Sequence, residues 1–224
     1  MDQRYISKEL THFVGRGLSD ADEQYALMTR ILRAGWLTHS PHFETDVQVI
    51  DFDFTAKASS NSLINPGVIC FCDIPLADFG LHMSKYSSFG IAFRKDYMLL
   101  KGATPVVYIP RQSGRDPQSS AETFDRELTR YVMIREAYRR GGRTDSEVQQ
   151  FTYFLDFHVF SLLKFYDGTL EDLDPENYYM EREWRIVGNM QFGMSDVERI
   201  IVPPDYGSKI REDFPDYDRQ VTFI

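Results

Sequence analysis

The sequence predicts an α+β fold with a largely antiparallel or split sheet, and three observations carry that expectation. Apolar runs of strand length are mixed with stretches of helical periodicity, without the strict alternation that a parallel α/β sheet requires. No internal repeat and no linker-like stretch divides the chain, so residues 1–224 read as a single domain. The 42% hydrophobic and 14% aromatic content can fill a sizeable core, with aromatic-rich packing or a stacking pocket.

The elements follow in order. Leu10–Val14 reads as a strand, broken by Gly15-Arg16-Gly17. Ser19 or Asp20 caps a helix in which Ala21, Tyr25, Met28, Ile31 or Leu32, and Gly35 recur at helical spacing, and Gly35 suits a left-handed C-terminal cap. Thr38–Pro66 is the least regular stretch. It holds a strand within Val47–Phe54 and then the polar run KASSNSLINP, the composition of a functional or mobile loop. GVICFCD (Gly67–Asp73) is a buried strand. Asp73-Ile74-Pro75 opens a helix carrying Leu76, Phe79, Met83 and Tyr86, with His82 and Lys85 beside them. Phe89–Phe93 and Pro105–Ile109 are further strands. Glu122–Arg140 is a helix closed by Gly141-Gly142. Ser146–Tyr166 is a second, with Phe151, Phe154, Leu155, His158, Leu162 and Phe165 on one face, which makes His158 a core histidine. These two form a helical insertion, about residues 119–166, capping one side of the site. Tyr178–Val187 and Arg199–Val202 are strands, Tyr206–Phe214 a helix and Val221–Ile224 a last strand.

Charge and cysteine usage narrow the function classes. A net charge of −9 argues against a large nucleic-acid surface, although Arg135, Arg139, Arg140 and Arg143 form a local basic cluster. That cluster also fits a favourable charge at a helix C-terminus. Cys70 and Cys72, the only cysteines, stand too close along one strand to bridge readily and lack a second pair for zinc. They read as buried thiols of a reducing compartment. With no signal peptide, long apolar run or lipidation motif, the expectation is a soluble cytoplasmic protein with no membrane contact.

The stretch YYMEREWRIV (Tyr178–Val187) holds the chemistry. On a strand, Met180, Trp184 and Ile186 share one face with Arg182, while Glu181, Glu183 and Arg185 share the other. Two carboxylates on one face can converge on a small polar group. The same pattern also fits a solvated face with charge pairs to a neighbouring strand. The chain order His12, Tyr86, Glu183 resembles the His…Tyr…Glu branch of the ADP-ribosyltransferase superfamily. The resemblance implies an ADP-ribosyltransferase-like split sheet and NAD as cofactor. Glu183 would be the catalytic glutamate at the nicotinamide ribose, and Glu181 the acidic residue that orients an acceptor. His12, Phe13, Arg16, Tyr86 and Ser87 would hold the cofactor, with Tyr97 and Tyr108 competing with Tyr86 for the stacking role. Breaking a glycosidic C–N bond builds positive charge on the sugar, which a neighbouring carboxylate stabilises.

The words THFVGR (Thr11–Arg16), CFCDIPL (Cys70–Leu76), HMSKYSSFGIAFRK (His82–Lys95), PVVYI (Pro105–Ile109) and EREWRIV (Glu181–Val187) resemble the AbiGi family of bacterial abortive-infection proteins. That family is described as an antitoxin of a phage-resistance system, whereas the site chemistry suits a toxin or effector. The leading expectation is therefore an NAD-dependent mono-ADP-ribosyltransferase acting as a toxin in anti-phage defence. Its acceptor would be a macromolecule, RNA or DNA ahead of protein, reached through Arg139, Arg140 and Arg143 or the Lys57–Asn65 loop. A cognate toxin or antitoxin protein would be a further partner. The alternative is a non-enzymatic antitoxin, a degenerate member of the same fold that binds and silences a partner toxin. A magnesium nuclease built on Asp51, Asp53 and Glu183 is an enzymatic competitor. A metal site of His12, His82, His158 and Asp73 lacks specific ligand spacing.

Overall fold

In the computed structural model, residues 7–45, 48–80, 83, 86–111, 120–142, 145–171, 174 and 176–224 are described. Their strands are β1 (Glu9–Phe13), β2 (Trp36–Leu37), β3 (Ile50–Phe52), β4 (Ile64–Pro66), β5 (Val68–Cys72), β6 (Gly90–Arg94), β7 (Thr104–Pro105), β8 (Val107–Pro110), β9 (Leu163–Tyr166), β10 (Glu183–Val187), β11 (Met190–Gln191), β12 (Val197–Val202) and β13 (Gln220–Phe223). The helices are α1 (Ala21–Ala34), α2 (Lys95–Leu100), α3 (Ser120–Arg140), α4 (Ser146–Phe154) and α5 (Gly207–Asp213). The fold is mixed α+β, as expected. Its main sheet has seven strands in the order β13-β12-β6-β1-β5-β10-β7, all antiparallel except β12 with β13.

The apolar strands occupy the sheet's middle. In β6 only Arg94 is exposed, and Ile91, Ala92 and Phe93 have no accessible surface. Helix α1 covers this core with Tyr25, Met28, Thr29 and Leu32. Its start is set by the Asp20 carboxylate, which accepts from the backbone N–H of Asp22 at 2.7 Å and of Glu23 at 3.3 Å. Its end is set by Gly35 at φ 70°, where a Cβ would also stand 2.6 Å from the Phe192 carbonyl oxygen.

A second, smaller core lies under the insertion, where Ala58, Leu63, Ile109, Ala121, Leu128 and Phe165 pack together. Here the chain departs from expectation. Ser146–Tyr166 is not one helix. α4 stops at Phe154, a π turn (Leu155–Val159) and a 3-10 turn (Phe160–Leu162) follow, and β9 then pairs in parallel with β8. The apolar face assigned to that helix does not form: Phe151 is 61% and Phe154 50% exposed, and His158 is an exposed side chain stacked on Phe154 rather than a core histidine. Strand alternation explains the change. Phe165 points into the second core while Lys164 points to the opposite side, an arrangement no continuous helix provides.

The polar run after Lys57 is structural rather than a free loop. Ala58 and Leu63 are buried, the Asp125 carboxylate accepts from the Ser59 N–H and Oγ–H at 2.7 and 2.8 Å, and Asn61 exchanges two hydrogen bonds with the Phe165 backbone. PVVYI likewise divides into β7 and β8, which belong to different sheets. The helix expected after Pro75 begins as a 3-10 turn at Leu76–Asp78, and His82 and Lys85 lie outside the described residues. No helix among the described residues is long and apolar enough to cross a membrane.

Candidate functional site

The site forms where β1 and β5 meet at one end. They share a single pair, Thr11 opposite Cys72, and His12 bridges further along, its Nδ1–H donating to the Cys70 carbonyl at 2.9 Å. Beside this junction lies a cleft of 240 Å³ lined by His12, Phe13, Arg16, Cys70, Tyr86, Glu181 and Glu183, among others. Burial lowers the His12 pKa, only partly offset by its hydrogen bond to the Cys70 carbonyl.

The two glutamates converge by a route the strand pattern does not describe. Glu181 ends a 3-10 turn, Tyr179–Glu181, and β10 starts only at Glu183. Between them Arg182 sits in the left-handed region at φ 46°. That residue turns the backbone so that both carboxylates meet Lys164 of β9. The Lys164 ammonium donates to Glu181 Oε2 at 3.2 Å and to Glu183 Oε2. Arg185 Nε donates to Glu183 Oε1 at 2.6 Å, and its Nη1 donates to the Ser161 carbonyl at 2.7 Å. The Tyr86 hydroxyl donates to Glu181 Oε1. Each carboxylate therefore has both oxygens engaged, and two cations balance two anions.

The electrostatics follow from this pairing. Burial by itself would raise the Glu183 pKa, but Arg185 and Lys164 together outweigh it and bring the group down to about 2. Burial and the neighbouring glutamates push the Tyr86 hydroxyl up, which keeps it a donor. Cys70, open to the cleft rather than buried, and the buried Cys72 are both pushed up to about 12, chiefly by desolvation and then by Glu183 and Glu181 respectively. Neither is an activated nucleophile.

Most of the residues expected in the site do gather in it. His12, Phe13, Arg16, Tyr86, Glu181 and Glu183 line one cleft, and the Arg16 guanidinium lies over the Tyr86 ring, 4.7 Å from its centroid. Ser87 does not join them. It is buried, and its hydroxyl donates to the Val14 and Phe89 carbonyls. Tyr97 lies away in the main core and bonds Asp196, whereas the Tyr108 hydroxyl accepts from the Glu183 N–H at 2.8 Å. The nuclease grouping does not assemble. Asp53 caps its own turn at Thr55, and Glu183 is spent on Lys164 and Arg185. Among the described residues no three His, Cys, Asp or Glu side chains are placed to share a metal ion. Arg139 and Arg140 pair with Glu136, at 2.9 and 4.0 Å, and Arg143 lies outside the described residues. Lys164 is the partner of the two glutamates that the sequence reading missed. Its signal, Leu-Lys-Phe-Tyr alternation, was hidden inside an apparent helix.

Residues 51–220 match the model of the family described as "Putative abortive phage resistance protein AbiGi, antitoxin". The chain belongs to the AbiGi family. No curated protein and no solved structure matches it. Membership corrects the leading expectation, because the family is described as an antitoxin, not as an NAD-dependent toxin. In the structure both oxygens of the Glu183 carboxylate are paired, one with Lys164 and one with Arg185. His12, Phe13 and Arg16 moreover precede the AbiGi-matched segment, while Lys164, Glu181, Glu183 and Arg185 fall inside it.

Proposed function

We propose that this AbiGi-family chain is a non-enzymatic antitoxin that binds a partner toxin and silences it, on a degenerate ADP-ribosyltransferase-like scaffold. The family match carries the reading, and the filled carboxylate pairs of the cleft support it. A catalytic carboxylate must offer an oxygen to the reacting centre, and here Lys164 and Arg185 hold those of Glu183 in place. Buried ion pairs of this kind contribute little net stability but fix one arrangement of the elements that carry them. In this chain they join β9 of the insertion to β10 of the sheet.

The test is co-expression with the growth-arresting protein of the same phage-resistance locus. The expected result is restored growth, a stoichiometric complex on size exclusion, and no heat of binding on titration with millimolar NAD. Growth arrest by this chain alone, relieved by Glu183→Gln, would overturn the reading.

A further inference from the structure

The main sheet ends in two unlike edges. At one, β7 has two residues, and one of them is Pro105, which has no N–H to offer a further strand. At the other, β13 has four residues, and no described strand pairs on its outer side. The run QVTFI (Gln220–Ile224) carries no charge and no proline, and its Val, Thr and Phe favour strands. Natural sheets ordinarily blunt such an edge with lysine, proline or a bulge.

The register shows which backbone groups are open. β12 and β13 run parallel with Val202 opposite Phe223, and the Ile224 N–H donates to the Val202 carbonyl at 3.2 Å. Backbone groups alternate sides along a strand, so Thr222 and Ile224 turn theirs to β12, while Val221 and Phe223 turn theirs outward. No described residue bonds those outward groups. Side chains hold the edge in place. Val221 packs on the main core, the Arg199 guanidinium donates to the Thr222 hydroxyl at 2.6 Å, and the Phe223 ring covers Gly207, where an added Cβ would stand 2.9 Å from it.

We infer that this edge takes an extended strand of the partner toxin, which joins the seven-stranded sheet beside β13 and carries basic residues at the end lying near Asp216 and Asp218. The inference rests on the antitoxin reading and adds the surface, the mode of recognition and the charge of the partner. Charge favours a different protein over a second copy. Glu212, Asp216 and Asp218 are exposed where the chain enters β13, against Arg211 alone, because Lys209 and Arg219 are already paired with Asp22 and Glu198. A second copy brings the same net charge of −9 and is repelled, whereas a basic partner is attracted and steered to this end of the sheet.

The experiment measures binding of the growth-arresting protein of the same phage-resistance locus to the wild type, to Val221→Pro, and to Asp216→Lys combined with Asp218→Lys. Proline at 221 removes an outward N–H and leaves the pairing with β12 intact, so the melt is expected to stay close to that of the wild type. Toxin affinity is expected to fall about tenfold or more. The lysine pair replaces exposed carboxylates and is expected to weaken binding at low salt and much less at high salt. Amide hydrogen exchange reads the edge directly. Thr222 and Ile224 are expected to be protected in the free chain, and Val221 and Phe223 only in the complex. A complex in which Val221 and Phe223 exchange as they do in the free chain overturns the inference and leaves the antitoxin reading standing, whatever Val221→Pro does to the fold. Unchanged toxin affinity in both variants overturns it as well. No complex from wild type overturns both readings. A wild-type dimer on light scattering, with those two amides protected before toxin is added, assigns the edge to a second copy and overturns the inference.

Discussion

Replacing Lys164 with methionine tests the electrostatic account of the cleft. The side chain is 12% exposed and contacts Glu181, Glu183 and the face of Tyr178. Methionine keeps most of its volume and removes its charge, leaving Glu183 with Arg185 alone and Glu181 with Tyr86 alone. Removing one partner of a buried ion pair costs about 3–5 kcal/mol. In a chain of this length that corresponds to a melting point lower by roughly 10 °C. The pH dependence gives a sharper readout. Wild-type Glu183 is depressed from 4.5 to about 2, so its contribution is fully present above pH 4.5 and is lost as pH falls toward 2. That shift corresponds to roughly 3 kcal/mol. In Lys164→Met the folded-state pKa moves back up, so less stability remains to be lost on that acid limb. Adding Glu181→Gln removes the carboxylate left without a cation, since Glu183 keeps Arg185, and is expected to recover part of the loss, giving a favourable coupling in a double-mutant cycle. The assay is urea denaturation at several pH values between 3 and 7. A cost below about 1 kcal/mol at pH 7, with an unchanged acid limb, would refute the reasoning.

Two further outcomes follow from the same geometry. At φ 46°, Arg182 carries a strain that glycine relieves and a β-branched residue worsens, so Arg182→Val is expected to be less stable than Arg182→Gly by about 2 kcal/mol in urea melts. Asn189 is buried, accepts from the His39 N–H at 2.9 Å and donates to the Phe43 and Thr45 carbonyls at 2.7 and 2.6 Å. Asn189→Ala is therefore expected to cost about 2 kcal/mol and to open residues 39–45 to limited proteolysis, with wild-type cleavage kinetics as the contrary result.

Where one local rule decided the structure, the sequence was legible. Ser19 or Asp20 marked the start of α1, where Asp20 proves to be the cap, Gly35 marked its end, and the apolar runs GVICFCD, FGIAF and RIIV each contain a main-sheet strand or overlap most of one. The site residues were legible as a set, since six of the seven expected side chains line one cleft. Their state was not. Whether Glu183 is free or paired depends on Lys164, nineteen residues earlier on a strand whose parallel pairing with β8 overrides the helical period of Ser146–Tyr166. Glu181 and Glu183 appeared as neighbours on a strand face. They converge instead through a left-handed arginine, a conformation that neither alternation nor propensity announces.

The carboxylates of the cleft are filled from within the chain, which carries two buried glutamates at the cost of their desolvation. Positioning explains their presence. Lys164 belongs to the strand that closes the insertion, and its bonds to Glu181 and Glu183 tie that strand to the sheet. The hydrogen bonds from Arg185 to Ser161 and Leu163 tie the same segment a second time. Helix α4 reaches the sheet through the π turn that ends just before these contacts, so these bonds hold the base of the element that presents Phe151 and Phe154. The buried charges thus fix how the insertion sits on the sheet.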